Sequence, residues 1–225
     1  MIRFPSRIAG ARLQGRLLIA VGAWIGLGMV TQARADSNVD PQAAATYVFV
    51  CPDRTEFVVR TTRAEAWVFH PNGTLKLPAA AGATGNSFSE GGVELRITGE
   101  QAHWLTTGNP PQVCSNDRRR AIWEKAKLDG VDFRAIGNEP PWVLEIRRME
   151  RIVLVLDYGA KQVDVPLPPH TDDRDTGTSR WDAGELRLEV VARPCSDSMS
   201  GEAFESEVVV TWQGRTLRGC GRALH

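Results

Sequence analysis

The stretch "TYVFVCPDRTEFVVRTTRAEAWVFHPNGTLKLP", residues 46–78, contains four short apolar segments separated by turn-forming residues. Apolar and polar residues alternate within these segments, as they do in half-buried strands. Asn72-Gly73, between the third and fourth segments, is a dipeptide that favours two-residue hairpin turns. Strands in such close succession predict an antiparallel β-domain. The four segments are 46–50, 56–61, 66–70 and 74–78.

Two further strand patterns follow in the same half of the chain, at 93–98 and 102–107. Six or more short strands with turns between them are typical of a small barrel or sandwich, which we place at residues 36–115. The segment "GATGNSFSEGGVELRITGEQA", residues 82–102, contains many glycines, and glycine is costly to order. This segment indicates either tight turns between strands or a loop that is shaped to enter another molecule.

Residues 116–130 break the strand pattern. Asn116 or Asp117 can cap a helix, and helix-forming residues follow until Gly130, which ends it. We predict a short connector helix that packs on the second half of the chain.

Strand patterns return in the second half, which we interpret as another β-rich domain over residues 131–225. Residues 168–183 are rich in proline and aspartate and predict a long polar loop. The sequence therefore predicts an all-β fold of two small antiparallel barrel or sandwich domains joined by a short helix. The predicted strands are 132–136, 142–148, 151–158, 161–167, 184–192, 205–213 and 215–221.

The first 35 residues have the order of a secretory signal peptide: a positive start, an apolar run at 17–30, and small residues before a cleavage site. We expect cleavage after Ala35 and a periplasmic product without a stable membrane anchor. The alternative is a membrane anchor, but the apolar run is shorter than the roughly 20 residues that span a bilayer. Of the 27 basic residues, five lie in this segment with no acid, which leaves 22 against 27 acids and a net charge of −5.

Four cysteines remain after such a cleavage, and an even count in an exported chain predicts disulfides. Three pairings are possible. Two cysteines lie in each half, which favours Cys51–Cys114 and Cys195–Cys220. A metal site is the alternative, but no Cys-x-x-Cys or Cys/His cluster supports it.

The sequence contains none of the familiar hydrolase, metalloprotease or phosphate-loop motifs. The acidic run "DDRDTG" (172–177) lacks the later ligands of a calcium loop, and Glu139 has no neighbouring acid in the sequence for acid–base chemistry. Serines in "CSDSMSGEAF" (195–204) fit either a tethered turn or a ligand contact, and the tryptophans fit either a core or a sugar platform. The acidic balance argues against nucleic-acid binding. We therefore predict a protein that is not an enzyme and has no cofactor or metal.

Residues 45–114 resemble the MliC family, the membrane-bound inhibitors of c-type lysozyme. The resemblance rests on "TYVFVC", on "TLKLP", and on the run 82–102 followed by Cys114. It implies a small exported β-barrel that binds a c-type lysozyme or a related muramidase through the segment 82–102.

In that family, a loop serine and a lysine before a late glycine enter the lysozyme cleft and meet its catalytic carboxylates. Those two family positions fall on Thr84 and Thr98, so the hydroxyl is kept and the lysine charge is lost. Arg96 is expected on the same strand face as Thr98 and is a substitute cation. The residues expected to contact lysozyme are Thr84, Ser87, Ser89, Arg96 and Thr98.

Residues 121–224 resemble a second group, of β-rich bacterial envelope proteins without assigned activity. The resemblance rests on "FRAIGNEPPWVLEI", "RIVLVLDYGA" and "PCSDSMSGEAF…GRTLRGCGRAL". It implies no function for the second half. The alternative to lysozyme inhibition is therefore an envelope ligand-binding or stress-response protein whose barrel does not inhibit.

Overall fold

The computed structural model describes residues 44–82 and 85–225, and these residues belong to one compact unit, Val39–His225. The predicted signal segment and Thr84 lie outside the described residues. The first half consists of eight strands: β1 (Ala45–Val50), β2 (Glu56–Thr61), β3 (Glu65–His70), β4 (Gly73–Pro78), β5 (Asn86–Glu90), β6 (Val93–Thr98), β7 (Gln101–Thr106) and β8 (Gln112–Asn116).

These strands form one antiparallel sheet in the order β4-β3-β2-β1-β8-β7-β6-β5. The sheet curls until its two outer strands approach, and an isolated bridge between Ala79 and Phe88 joins them. The result is a nearly closed barrel, which removes most of the exposed strand edge. Its interior contains aromatic and aliphatic side chains from β1 to β7, with Cys114 from β8, among them Phe49, Phe57, Val68, Leu77, Phe88, Leu95 and Trp104.

The predicted disulfides are both present: Cys51–Cys114 in the barrel and Cys195–Cys220 in the second half. The first joins the end of β1 to β8, and both of its cysteines are buried. Two disulfides and no free cysteine among the described residues indicate an oxidising, exported location. None of the helices in the described part of the chain has the length and apolar character needed to cross a membrane.

The predicted connector helix is α1 (Arg118–Leu128), slightly shorter than the predicted range. Asp117 is its cap, because the Asp117 side chain accepts a hydrogen bond from the Arg120 backbone at 3.1 Å. Gly130 follows the helix with a φ of 83°, a left-handed conformation that glycine adopts at low cost. Sequence and structure therefore agree on how the helix starts and ends.

The second half contains eleven strands: β9 (Val131–Asn138), β10 (Pro141–Arg147), β11 (Arg151–Leu156), β12 (Lys161–Pro166), β13 (His170–Asp173), β14 (Thr178–Ala183), β15 (Leu186–Val191), β16 (Cys195–Ser196), β17 (Ala203–Phe204), β18 (Ser206–Trp212) and β19 (Arg215–Ala223). Nine of them form a curled antiparallel sheet in the order β12-β11-β10-β9-β19-β18-β15-β14-β13. This sheet is a half-barrel, and β16 and β17 form a separate small ribbon.

The half-barrel has its own core on the concave side, separate from that of the barrel. Trp142 occupies a narrow space beside two strand glycines, Gly137 and Gly219. A Cβ atom on Gly219 would lie 2.7 Å from Cζ2 of Trp142, closer than packed atoms tolerate. Gly137 of β9 and Gly219 of β19 therefore make room for the tryptophan ring within regular strands.

The prediction of a long polar loop at 168–183 is wrong, because most of this segment forms the hairpin of β13 and β14. Its polar residues lie on an edge hairpin with one solvated face, where hydrophobic alternation is weak. Strands β5 and β8 were also missed, since glycine and polar residues conceal their pattern.

Helix α1 packs against β1 and β2 of the barrel and against β9 of the second half. Trp123 lies 4.4 Å from the Arg222 guanidinium and 5.4 Å from the Phe204 ring, measured to ring centroids. Beside it, Glu145 is buried and pairs with Arg134 and with Arg147, whose Nη2 lies 2.6 Å from the carboxylate. The helix therefore packs on the second half as predicted, but it packs on the barrel as well. In the neighbouring ion-pair triad, Glu145 and Arg134 are largely buried and Arg147 is half-exposed.

Candidate protein-binding face of the barrel

Residues 85–102 of the glycine-rich segment are built as consecutive strands with tight turns. Gly91 and Gly92 form the two-residue turn between β5 and β6, with φ angles of 54° and 80°. Both values lie in the left-handed region, which the hairpin turn needs and which other residues adopt at a cost. Tight turns therefore explain these glycines, and the segment is a hairpin rather than an extended loop.

Four of the five residues predicted to contact lysozyme lie on this hairpin and point away from the core. In β6, Leu95 and Ile97 are buried, whereas the alternating Arg96 and Thr98 are exposed. The predicted common face of Arg96 and Thr98 is therefore confirmed. In β5, Ser87 and Ser89 alternate with the buried Phe88 and pair with Arg96 and Glu94 of β6.

Strand β7 extends the same face with residues that sequence reasoning missed. His103 is the register partner of Arg96, and Leu105 is the partner of Glu94. We use the name hairpin face for the outward residues of these three strands: Ser87, Ser89, Glu94, Arg96, Thr98, His103 and Leu105. The alternation of β7 around the buried Trp104 was the signal that places His103 there.

The hairpin face contains a shallow depression of about 430 Å³ lined by Ser87, Ser89, Arg96 and His103, among others. Within the described residues, Arg96 has no carboxylate within the 4.0 Å of an ion pair. Its guanidinium is therefore available to an acidic group from outside. Glu94 is the only acid lining the depression and is likewise without an ion pair in the described chain.

The turn that carries Thr98 is held rigidly. Gly99 and Glu100 connect β6 to β7, and the carboxylate of Glu100 accepts a hydrogen bond from Nδ2 of Asn116 at 2.7 Å. The backbone of Asn116 also donates to the carbonyl of Glu100 at 2.8 Å. Arg118 lies 3.7 Å from the same carboxylate, so the charge of Glu100 is partly neutralised.

Thr84, the other family position, lies outside the described residues, and Gly85 is the described residue that follows it. Asn86 pairs with Ile97, so Gly85 and Thr98 lie at the same end of the β5–β6 hairpin.

The other predicted candidates have structural partners. Asp197 accepts hydrogen bonds from the backbone and the hydroxyl of Ser200, both at 2.7 Å, and from Asn138 at 2.6 Å. The pKa of Asp197 lies below its usual range, chiefly because of the Ser200 hydroxyl and then the Ser200 backbone. These contacts explain the polar residues of 195–204 as a tethered turn.

Glu139 is exposed in the two-residue turn between β9 and β10. In the run 172–177, Asp173 accepts from the backbone of Asp175 and Thr176, which fixes the turn between β13 and β14. No group of three or more metal-ligating side chains is found in residues 44–82 and 85–225.

Neither the models of protein families nor the curated proteins match this chain.

Proposed function

We propose that this chain is a periplasmic binding protein whose barrel engages a c-type lysozyme or a related muramidase through the hairpin face. The observation that carries the proposal is Arg96, an exposed guanidinium flanked by Ser87 and His103 without an acidic partner in the described chain. The residues nearest to it are hydrogen-bonding groups, so it is presented to a partner rather than used within the fold.

An acidic cleft is the partner chemistry that fits such a group. Lysozymes hydrolyse their substrate with a pair of carboxyl groups in a cleft. A guanidinium forms paired hydrogen bonds with a carboxylate, and these are about twice as strong as neutral ones. Arg96 therefore supplies the positive charge that Thr98 does not.

The rigid anchoring of the hairpin favours binding. Side chains and loops that become ordered on association reduce the affinity by about 0.5–1.5 kcal/mol for each flexible side chain. The hairpin avoids part of this loss, because its turns are short and Glu100 is bonded to Asn116. The face also lies on strands, which position side chains more accurately than loops.

The experiment is a titration of residues 36–225, which include the whole compact unit, against a c-type lysozyme, with wild-type protein and the Thr98→Lys variant. Lysis of bacterial cell walls and calorimetric binding are both measured. Wild type should bind and inhibit. Thr98→Lys should bind about 10–100-fold more tightly, since a hydrogen bond to a charged group contributes about 1.5–3 kcal/mol.

The second candidate is a ligand-binding envelope protein whose barrel does not inhibit. Glu94 favours it, because this unpaired carboxylate lies on the hairpin face and would repel an acidic cleft. If wild type neither binds nor inhibits and Thr98→Lys does both, this second candidate replaces the first.

A further inference from the structure

The outward face of the half-barrel carries a polar row that runs across five strands. Thr171 of β13 pairs with Arg180 of β14, and Arg180 pairs with Glu189 of β15. Glu189 then pairs with Val209 of β18, and Val209 pairs with Arg218 of β19. The intervening residues of β15 and β18, such as Leu188 and Val210, are buried on the other face.

This row forms the floor of the largest depression described on the chain, with a volume of about 580 Å³. A second depression of about 290 Å³ adjoins it and shares Val209 and Arg218 with it. Small-molecule sites commonly have volumes of about 300–1,000 Å³. We call the larger depression the arginine groove, defined by Thr171, Arg180, Asp182, Arg187, Glu189, Thr211 and Arg218.

Two of the three arginines in the arginine groove form ion pairs with acids of the groove, and the third does not. Arg180 donates to Glu189 at 2.7 Å, and Nε of Arg187 lies 3.2 Å from Asp182. Arg218 has no carboxylate within ion-pair distance among the described residues.

The nearest acid outside the groove is also engaged. Glu207 lies one row away on β18 and pairs with Arg193. Its pKa lies below the usual range, first because of the hydrogen bond from Arg193, and the charge of Arg218 contributes as well. Arg218 is therefore close to Glu207 but is not its ion-pair partner.

We propose that the arginine groove binds a saccharide that carries a carboxylate, with Arg218 as the anchor of that carboxylate. Arginine recognises a carboxylate through two parallel hydrogen bonds, which gives both affinity and orientation. The Arg180–Glu189 and Arg187–Asp182 pairs present fixed donors and acceptors, and Thr171 and Thr211 add hydroxyls. Sugar hydroxyls act as donor and acceptor at once, so such a mixed lining suits them.

The apolar part of the lining also suits a sugar. Pro169 and the half-buried Val209 line the groove and offer an apolar surface to the ring carbons of a saccharide. A purely electrostatic anion site would not need such a surface. This site lies on the second half of the chain and does not depend on lysozyme binding by the barrel.

The test compares N-acetylmuramic acid with N-acetylglucosamine, which lacks the lactyl carboxylate, and with free D-lactate, which lacks the sugar. Residues 36–225 are titrated by calorimetry and by NMR at millimolar ligand. N-acetylmuramic acid should bind at least about 10-fold more tightly than either comparison compound, given the value of a charged hydrogen bond. Comparable binding of the two sugars, or of free lactate, would overturn the proposal, as would no binding of N-acetylmuramic acid.

The variants locate the site. Arg218→Gln should abolish the preference for N-acetylmuramic acid, and Arg218→Lys should keep part of it. Arg215→Gln removes an exposed arginine at the start of β19, outside the groove lining, and should bind as wild type does. An Arg218→Gln variant with wild-type circular dichroism and wild-type preference would contradict the assignment.

Discussion

Ser87 and Arg96 are direct cross-strand partners on the outer face of the β5–β6 hairpin, and Arg96 is in turn the partner of His103. This register places a guanidinium between a hydroxyl and an imidazole on a rigid, solvent-facing surface. An exposed arginine between polar neighbours, with no acidic partner in the described residues, is the feature from which the binding proposal follows.

Glu94→Gln should strengthen lysozyme binding several-fold. Glu94 lies two residues from Arg96 on the same face, and its charge opposes an acidic cleft. Calorimetric titration at low and high salt is the measurement, and the gain should shrink as salt screens the repulsion. Weaker binding by this variant would mean that the partner surface at Glu94 is basic.

Glu145→Ala should reduce the free energy of unfolding by about 3–5 kcal/mol, because it leaves two arginines without their buried counter-ion. Glu145 is only 6% exposed and pairs with Arg134 and Arg147. The pKa of Arg134 is already lowered by burial, which makes its unpaired charge costly. Urea unfolding measures the loss, with Glu150→Ala, an exposed glutamate, as the control.

If Glu145→Ala lowers the free energy of unfolding by less than about 1 kcal/mol, the contribution of Glu145 is no larger than that of an exposed ion pair. The triad would then not stabilise the packing of α1 on the second half.

Removal of Cys51–Cys114 should destabilise the chain more than removal of Cys195–Cys220. The sequence separations are 63 and 25 residues, which correspond to about 4 and about 3.5 kcal/mol of lost loop-closure entropy. Cys51 and Cys114 are also both buried, so double alanine variants leave a cavity there. Urea unfolding of the two double variants measures this, and the opposite ranking would count against it.

Asp197 should make stability depend on pH in the acidic range. Its folded pKa is lowered, chiefly by the hydrogen bond from the Ser200 hydroxyl, whereas an unfolded aspartate titrates near about 3.9. The stabilisation is therefore complete above that value and disappears as the pH falls through the folded pKa. The stability difference between wild type and Asp197→Asn should shrink at acidic pH, and a constant difference would contradict this.

The sequence predicted the all-β class, the helix and its cap and most strands, because these depend on local patterns. The disulfide pairing followed from the presence of two cysteines in each half of the chain. Asp117 and Gly130 contact residues within one helical turn of their own positions, so their capping roles can be predicted from the local sequence. The hairpin at 168–183 was missed because its exposed strands lack apolar alternation. Residues of one strand face, such as Arg96 and Thr98, were predictable from the period of two.

Apart from the disulfides, the sequence did not predict contacts between distant segments. The pairing of Glu145 with Arg134 and the row from Thr171 to Arg218 depend on strand order and register. Strand order in a curled sheet is set by the packing of the whole core, and no local pattern of residues encodes it. The arginine groove therefore became visible only from the structure.

The most direct test of the central claim is the affinity of Arg96→Glu for a c-type lysozyme, measured by calorimetry beside wild type. Arg119→Glu, an exposed arginine on α1, is the control, because it makes the same change in net charge away from the hairpin face. We predict that wild type and Arg119→Glu bind alike and that Arg96→Glu binds at least about 10-fold more weakly. Equal affinities of all three proteins, or no binding by wild type, would contradict the account.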